Sequence, residues 1–150
     1  MRQIISILLI MFIFVSPVLA GNGLISVKSS YTVAETADRL EQALKAKGMT
    51  VFARINHAEG ARKVGQQLRP TQLVIFGNPK VGTPLMQCAQ SIAIDLPQKA
   101  LIWEDDKGQV WLSYNDADYL AERHGITTCG EVLAKVRKAL ANFAKAATNP

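Results

Sequence analysis

Residues 76–86 constrain the fold most strongly, because they join an apolar strand to a helix through one tight turn. The continuous apolar run at 73–76 predicts an interior strand of a sheet. Gly77 and Gly82 supply the backbone freedom that a sharp turn needs. Thr83-Pro84 predicts a helix start, with the threonine as N-cap and the proline in the first helical position. A strand end and a helix N-terminus therefore lie side by side.

The same turn is the candidate binding site. Backbone N–H groups, a helix N-terminus and one lysine converge there, which predicts a site for a carboxylate, sulfate or phosphate. The spacing Gly-x4-Gly-Thr is similar to a phosphate-binding P-loop, but the lysine that should follow the second glycine is absent, which excludes nucleotide hydrolysis. The alternative is that the glycines and prolines serve the turn alone. The candidate ligand-binding residues are Gly77, Asn78, Lys80, Gly82 and Thr83.

The first twenty residues have the pattern of a signal peptide. Arg2 supplies a positive start, residues 4–15 are apolar except for Ser6, and Ala20 suits cleavage. The apolar run is shorter than the roughly 20 residues of a membrane-spanning helix. We therefore expect a signal peptide at 1–20, one domain at 21–150, and a periplasmic or secreted protein without stable membrane insertion after cleavage. An uncleaved anchor is the alternative.

The charge is modest and spread along the chain. Seventeen Lys and Arg residues stand against 12 Asp and Glu, a formal net charge of +5. No basic stripe interleaved with aromatic residues is present, and export separates the chain from nucleic acid, so a nucleic-acid partner is excluded.

Cys88 and Cys129 are the two cysteines of the chain. In an oxidising compartment they are most simply one disulfide. The alternative combines both with Met86 and a histidine as a soft-metal site, since thiolate and thioether ligands suit Cu(I). No close-spaced ligand motif supports that alternative, so no metal or cofactor is predicted.

Capping signals and apolar periodicity predict the other elements. Thr32 and Glu35 form a capping box that opens a helix ended by Gly48. The second strand is predicted to carry Val51, Ala53, Ile55 and His57 on one face. A strand at 23–30, a short helix at 59–68, another from residue 116 to 124, and a final amphipathic helix opened by a capping box at 128–131 complete the order.

Residues 100–104 and 109–114 form the clearest hairpin, joined by a turn at 105–108. A symmetric turn puts five side chains on the core face: Leu101, Trp103, Val110, Leu112 and Tyr114. Ile102 and Trp111 then lie on the opposite face, where the tryptophan is a ligand wall, a dimer contact or an ordinary cross-strand partner.

These elements predict one two-layer α+β domain. No catalytic residue is assigned, because no Ser-His-Asp arrangement can be assembled from the order of residues alone. His57 and Asp95 are the residues that an enzyme would use if they lay near the turn at 77–83.

Several motifs in the same order resemble the family called domain of unknown function 302. They lie at 50–58, 68–73, 76–86, 94–97 and 110–115, and the resemblance runs from about residue 23 to 144. It implies a two-layer sandwich with a mostly antiparallel sheet and helices on one face, in the order β-α-β(4)-α, similar to the TATA-binding-protein-like fold. It also implies homodimers, and no agreed activity. Asn56-His57 departs from the Asp-His usual there, and Cys88 stands where a small residue is usual.

The sequence thus predicts an exported, non-catalytic domain that binds a small ligand, an anion in the first instance, or another protein. The alternatives are an enzyme using His57 or Asp95 beside the 77–83 turn, and a structural homodimer module.

Overall fold

The computed structural model describes residues 23–150, so the predicted signal peptide lies outside the described residues. Five strands are present: β1 (Leu24–Lys28), β2 (Thr50–Asn56), β3 (Thr71–Gly77), β4 (Gln98–Glu104) and β5 (Val110–Asn115). The helices are α1 (Val33–Ala46), α2 (His57–Lys63), α3 (Pro79–Cys88), α4 (Ala117–Arg123) and α5 (Gly130–Thr148), with a 3₁₀ segment at Gln90–Ile94.

The strands form one sheet in the order β1-β5-β4-β3-β2, and every neighbouring pair is antiparallel. Helices α1 and α5 pack against each other and cover one face, which confirms the two-layer β-α-β(4)-α arrangement. Alternate side chains of the central strands meet the helices, and Phe76 contacts Phe143 edge to face at 6.2 Å between ring centroids. The largest fully buried side chains include Phe76, Leu40, Leu44, Ile102, Leu112 and Val74.

The hairpin pairs Glu104 with Val110, Trp103 with Trp111 and Ile102 with Leu112. Its loop is one residue longer than the predicted turn, so the assignment of faces on β4 was wrong. A slip of one residue turns every side chain of a strand to the other face. Ile102 is therefore fully buried under the helices, while Leu101 and Trp103 share the opposite face with Trp111.

A bulge between Val51 and Ala53 divides β2. Val51 lies opposite Phe76 on the helix side, whereas Ala53 and Ile55 face the other way. The prediction of one continuous face was therefore wrong, because an extra residue in one strand reverses the alternation beyond it.

Two helix starts also differ from prediction. α3 begins at Pro79 with Asn78 as N-cap, so Thr83 and Pro84 lie inside the helix. α5 begins after Cys129, which has a positive φ of 68° and makes no side-chain cap, so the predicted box at 128–131 does not form. The capping box of Thr32 and Glu35 is confirmed.

The sheet face opposite α1 and α5 is apolar along its middle. Leu73, Leu101, Trp103 and Trp111 are partly buried there, and Ile55 is 39% exposed. Trp103 donates from Nε1 to Ser113 Oγ at 3.0 Å, so its indole is tied to the neighbouring strand β5.

Candidate binding cavity

Asn78 fixes the start of α3. Its Oδ1 accepts the N–H of Lys80 at 2.9 Å, and its Nδ2 donates to the carbonyl of Gly48 at 2.9 Å. The second bond ties α3 to the turn between α1 and β2. One asparagine therefore caps the helix and sets its position over the sheet.

The backbone donors in the first turn of α3 are already used. The N–H groups of Val81 and Gly82 both bond to the carbonyl of Asn78 at 2.9 Å, and Pro79 has no N–H. The anion cradle expected from the sequence needs free donors at this point. The side chain of Lys80 is exposed and does not line the cavity described next, so the expected role of Lys80 as its charge lacks geometric support.

A cavity of about 270 Å³ lies between α3 and the start of β4. Four of the five candidate residues line it: Gly77, Asn78, Gly82 and Thr83. The rest of the wall is mostly apolar and includes Met49, Phe52, Leu85, Met86, Leu96 and Pro97. The predicted segment thus lines a cavity, to which it contributes part of a helix and its side chains and not a loop of free N–H groups.

Gln98 is the buried polar side chain without a hydrogen-bond partner in this wall, which also includes Asn78 and Thr83. It is the first residue of β4, lies opposite Phe76, and is 8% exposed. Within residues 23–150, its Nε2 is the one buried side-chain nitrogen or oxygen that has no hydrogen-bond partner. Sequence analysis missed it, because the predicted strand began at residue 100 and did not include Gln98. The alternation of Gln98 with Ala100 and Ile102 is the signal that could have found it.

A second cavity of about 420 Å³ lies between α1 and α5. It shares Met49, Val81, Gln98 and Val136 with the first. Small side chains form much of its remaining wall: Ala43, Ala46, Ala139 and Ala146. Gln98 therefore stands where the two apolar cavities adjoin.

The turn before β4 closes one side of the first cavity through Leu96 and Pro97. Lys99 braces this turn, since its Nζ donates to the carbonyls of Asp95 and Pro97, each at 2.8 Å. Partial burial lowers the pKa of Lys99, against the opposing effect of the nearby Asp95 carboxylate.

Cys88 and Cys129 lie at disulfide distance, with 2.00 Å between sulfurs and 6.4 Å between Cα atoms. The predicted pairing is confirmed in its geometry. Because each sulfur is bonded to the other, neither is a thiolate ligand, and the soft-metal alternative loses two of its four donors.

His57 and Asp95 do not meet at the cavity. His57 is exposed at the start of α2, and the β2–β3 register puts that end of β2 beside Gln72, far from the Gly77 end. Asp95 accepts from His124 Nε2 at 2.6 Å and from Arg123 Nη1 at 3.3 Å. The enzyme alternative beside the turn therefore lacks its paired groups.

Ser91 completes a serine–histidine–aspartate contact that the sequence could not assemble, with Oγ 3.0 Å from His124 Nδ1. None of Ser91, Asp95 and His124 lines either cavity. Their hydrogen bonds connect the 3₁₀ segment and the residue after it to the end of α4, so we interpret their role as structural.

Comparison with known proteins identifies a family and its fold. The family model described as "Domain of unknown function DUF302" matches residues 25–143. A crystal structure of an uncharacterized conserved DUF302 protein from Bacillus stearothermophilus matches with a TM-score of 0.76 and 20% identity, over 85% of this chain and 99% of that one. This likeness shows the shared fold.

Two curated relatives are longer proteins. "Fluoride-specific ion channel FluC 1" of Brucella suis biovar 1 and of Brucella abortus biovar 1 are each 47% identical over 114 residues, 76% of this chain. The matched segment spans 45% and 42% of the lengths of these relatives, so the chain covers less than half of each. The name "fluoride-specific ion channel" belongs to those longer proteins. None of the helices in residues 23–150 has both the length and the apolar character of a membrane span.

Proposed function

The chain belongs to the DUF302 family, and we propose that it is a non-catalytic binding domain that holds a small apolar molecule in the cavity behind α3. The observation that carries this proposal is Gln98, a side chain of the mostly apolar wall whose buried Nε2 has no hydrogen-bond partner within residues 23–150. An unpaired buried donor costs about 1–3 kcal/mol of stability. A ligand that brings an acceptor to Gln98 removes this cost, and ligand sites typically combine an apolar lining with a few polar groups of this kind.

The anion expected from the sequence is replaced in this proposal by an apolar ligand. Both cavities are lined mainly by apolar side chains. Lys80 lies outside them, and Lys47, which lines the second, is exposed at the end of α1. Burying an ionised group in such a wall is costly unless a partner neutralises it. The proposed ligand is therefore neutral in the part that enters the cavity.

The neutral fluorescent probe N-phenyl-1-naphthylamine tests the site. We expect saturable binding of one probe per chain, and loss of at least about tenfold in affinity for Gly82→Leu. A side chain added at Gly82 extends into the cavity, with its Cβ 3.8 Å from Leu96 Cδ1 in ordinary contact. Gly60→Leu is the matched control, because a Cβ at this helical glycine meets nothing within 4 Å and Gly60 does not line the cavity.

The control separates occupancy of the cavity from the general effect of adding a leucine to a helix. Thermal unfolding of both variants verifies that they are folded. Absence of saturable probe binding, or equal binding by the Gly82 and Gly60 variants, would contradict the proposal.

A homodimer is the second candidate, and the apolar sheet face opposite the helices favours it. Leu73, Leu101, Trp103 and Trp111 lie together there on neighbouring antiparallel strands. A twofold axis parallel to this face, lying in the plane between the two copies, would bring the same patch of each copy together, as cyclic dimers require. Aromatic side chains are also enriched in the centres of such interfaces.

Sedimentation velocity tests the dimer. We expect Leu101→Lys to convert dimer to monomer at micromolar concentration, because it puts a charge at the centre of the face. Val64→Lys is the control, since Val64 is 72% exposed at the end of α2. A wild-type chain that sediments as a monomer at every concentration would exclude this candidate.

Export to the periplasm or the exterior is part of the same proposal. The disulfide geometry of Cys88 and Cys129 supports an oxidising compartment. Fractionation of the native host, with mass measurement of the purified chain, tests it. A cytoplasmic chain that retains residues 1–20 would contradict it.

A further inference from the structure

We infer that the ligand carries its oxygen acceptor inside the molecule, between two apolar arms, as in an internal ketone, an ester or a secondary amide. This inference rests on the proposed binding function and names the chemical class of the ligand. Its starting point is the position of Gln98, which lines the cavity behind α3 and also the cavity between α1 and α5.

Gln98 lines both cavities, so it lies where they adjoin. A ligand with a terminal polar group would match a donor at one end of a single apolar cavity. Here apolar wall extends from Gln98 in two directions, toward Leu96 and Met86 on one side and toward Ala43 and Ala139 on the other. The matching molecule has its acceptor in the middle and hydrocarbon on both sides.

The donor is suited to a neutral acceptor. Gln98 is 8% exposed and carries no charge, and its Nε2 has two hydrogens to donate. A carbonyl oxygen accepts from such an amide without the desolvation cost of a carboxylate. The class is therefore a neutral carbonyl compound with two hydrocarbon arms.

The wall between the cavities includes an adaptable side chain. Met49 lines both cavities, and methionine is unbranched and polarizable, with three rotatable bonds. Val81 and Val136, which also line both, are stiffer because they are branched at Cβ. Met49 is therefore the side chain that adjusts when a ligand with two arms occupies both sides.

Two isomeric ketones provide the test. The carbonyl of 5-nonanone lies at the centre of the chain, whereas that of 2-nonanone lies next to its end. Each is titrated against the bound N-phenyl-1-naphthylamine. We expect 5-nonanone to displace the probe about fivefold more strongly, which is the effect of one net hydrogen bond. Gln98→Leu is expected to abolish this preference, while Gln42→Leu, which changes an exposed amide of α1 that lines neither cavity, keeps it.

A second variant tests where the other arm lies. Ala139 lines only the cavity between α1 and α5, so Ala139→Leu is expected to reduce 5-nonanone to the level of 2-nonanone while probe binding persists. Equal displacement by the two ketones in the wild type, displacement by neither, or a preference that survives Gln98→Leu would each overturn the inference and leave the proposed binding function standing. Failure of the probe itself to bind would overturn both.

Discussion

The Cys88–Cys129 bond joins the last residue of α3 to the residue that precedes α5. α3 forms the outer wall of the first cavity, and Val136 of α5 lines both cavities. Since α3 has one fully buried side chain, Leu85, this covalent link is a main restraint on the wall. The bond therefore connects the stability of the domain with the shape of its candidate site.

Replacing both cysteines by alanine is expected to lower the free energy of unfolding by up to about 4 kcal/mol, because a crosslink across 41 residues restricts the unfolded chain. It should also weaken binding of N-phenyl-1-naphthylamine, since α3 is then held by fewer restraints. Urea unfolding and probe titration measure the two effects. Reduction of the wild type should reproduce them, and an unchanged urea midpoint would contradict the prediction.

The Asp105 carboxylate is expected to stabilise the fold at neutral pH and to lose this effect in acid. The indole N–H of Trp111 and the backbone N–H groups of Gln109 and Lys107 bond to its carboxylate and lower its pKa. A lowered pKa in the folded state gives stabilisation that is complete above the ordinary carboxyl range and is lost as the pH falls through the lowered value.

Asp105→Asn should therefore unfold at a lower temperature than the wild type near neutral pH, with a difference that shrinks toward about pH 3. Thermal melts across this range measure the difference. The comparison between variant and wild type is needed because Glu35 and Glu59, whose pKa values are also lowered by hydrogen bonds, contribute to acid loss in both proteins. A difference that is constant with pH would contradict this assignment.

His124 is expected to matter more for stability than its neighbour Arg123, although both contact Asp95. The His124 side chain is 6% exposed and bonds at both ring nitrogens, whereas Arg123 is 48% exposed. We expect His124→Ala to cost about 2 kcal/mol and Arg123→Ala less than about 1 kcal/mol. Equal losses in denaturant unfolding would show that burial does not set the difference.

The sequence predicted the layers, the order of elements and the disulfide, because capping residues, apolar periodicity and paired cysteines act locally or in pairs. It failed where a single residue changes the phase of a strand. The loop after Glu104 is one residue longer than assumed, and the bulge after Val51 adds one residue to β2. The length of a hairpin loop and the position of a bulge depend on how two strands pair. The apolar periodicity within a single strand does not reveal that pairing.

The buried amide of the cavity wall was missed because the predicted strand began at residue 100, whereas β4 begins at Gln98. The candidate residues therefore came from the turn at 77–83 alone. Four of them, Gly77, Asn78, Gly82 and Thr83, line the cavity. The N–H groups at the start of α3 bond to Asn78 and are not free donors. The types of residue in the segment do not show this, because it depends on how the backbone folds.

Gly23 is predicted to tolerate no side chain. Its φ is +79°, and a Cβ there would lie 2.6 Å from ring atoms of Tyr119. Gly23→Ala should lower the free energy of unfolding by about 2 kcal/mol or more, from backbone strain and the clash together. Adding Tyr119→Ala should recover the part due to the clash, and a double-mutant cycle in denaturant measures it; strictly additive losses would contradict the predicted contact.

Gln98→Leu should stabilise the ligand-free protein, by about 1 kcal/mol, because it removes a buried donor that has no partner and keeps a similar side-chain volume. Asn142→Leu, at an exposed amide, should change stability by less than about 0.5 kcal/mol. Denaturant midpoints of delipidated, ligand-free protein measure both. If Gln98→Leu both stabilises the ligand-free protein and abolishes the preference for 5-nonanone, then a bound ligand offsets the free-energy cost of the unpaired amide. If Gln98→Leu instead destabilises the empty protein, the amide has a partner in solution and the argument for the cavity loses its basis.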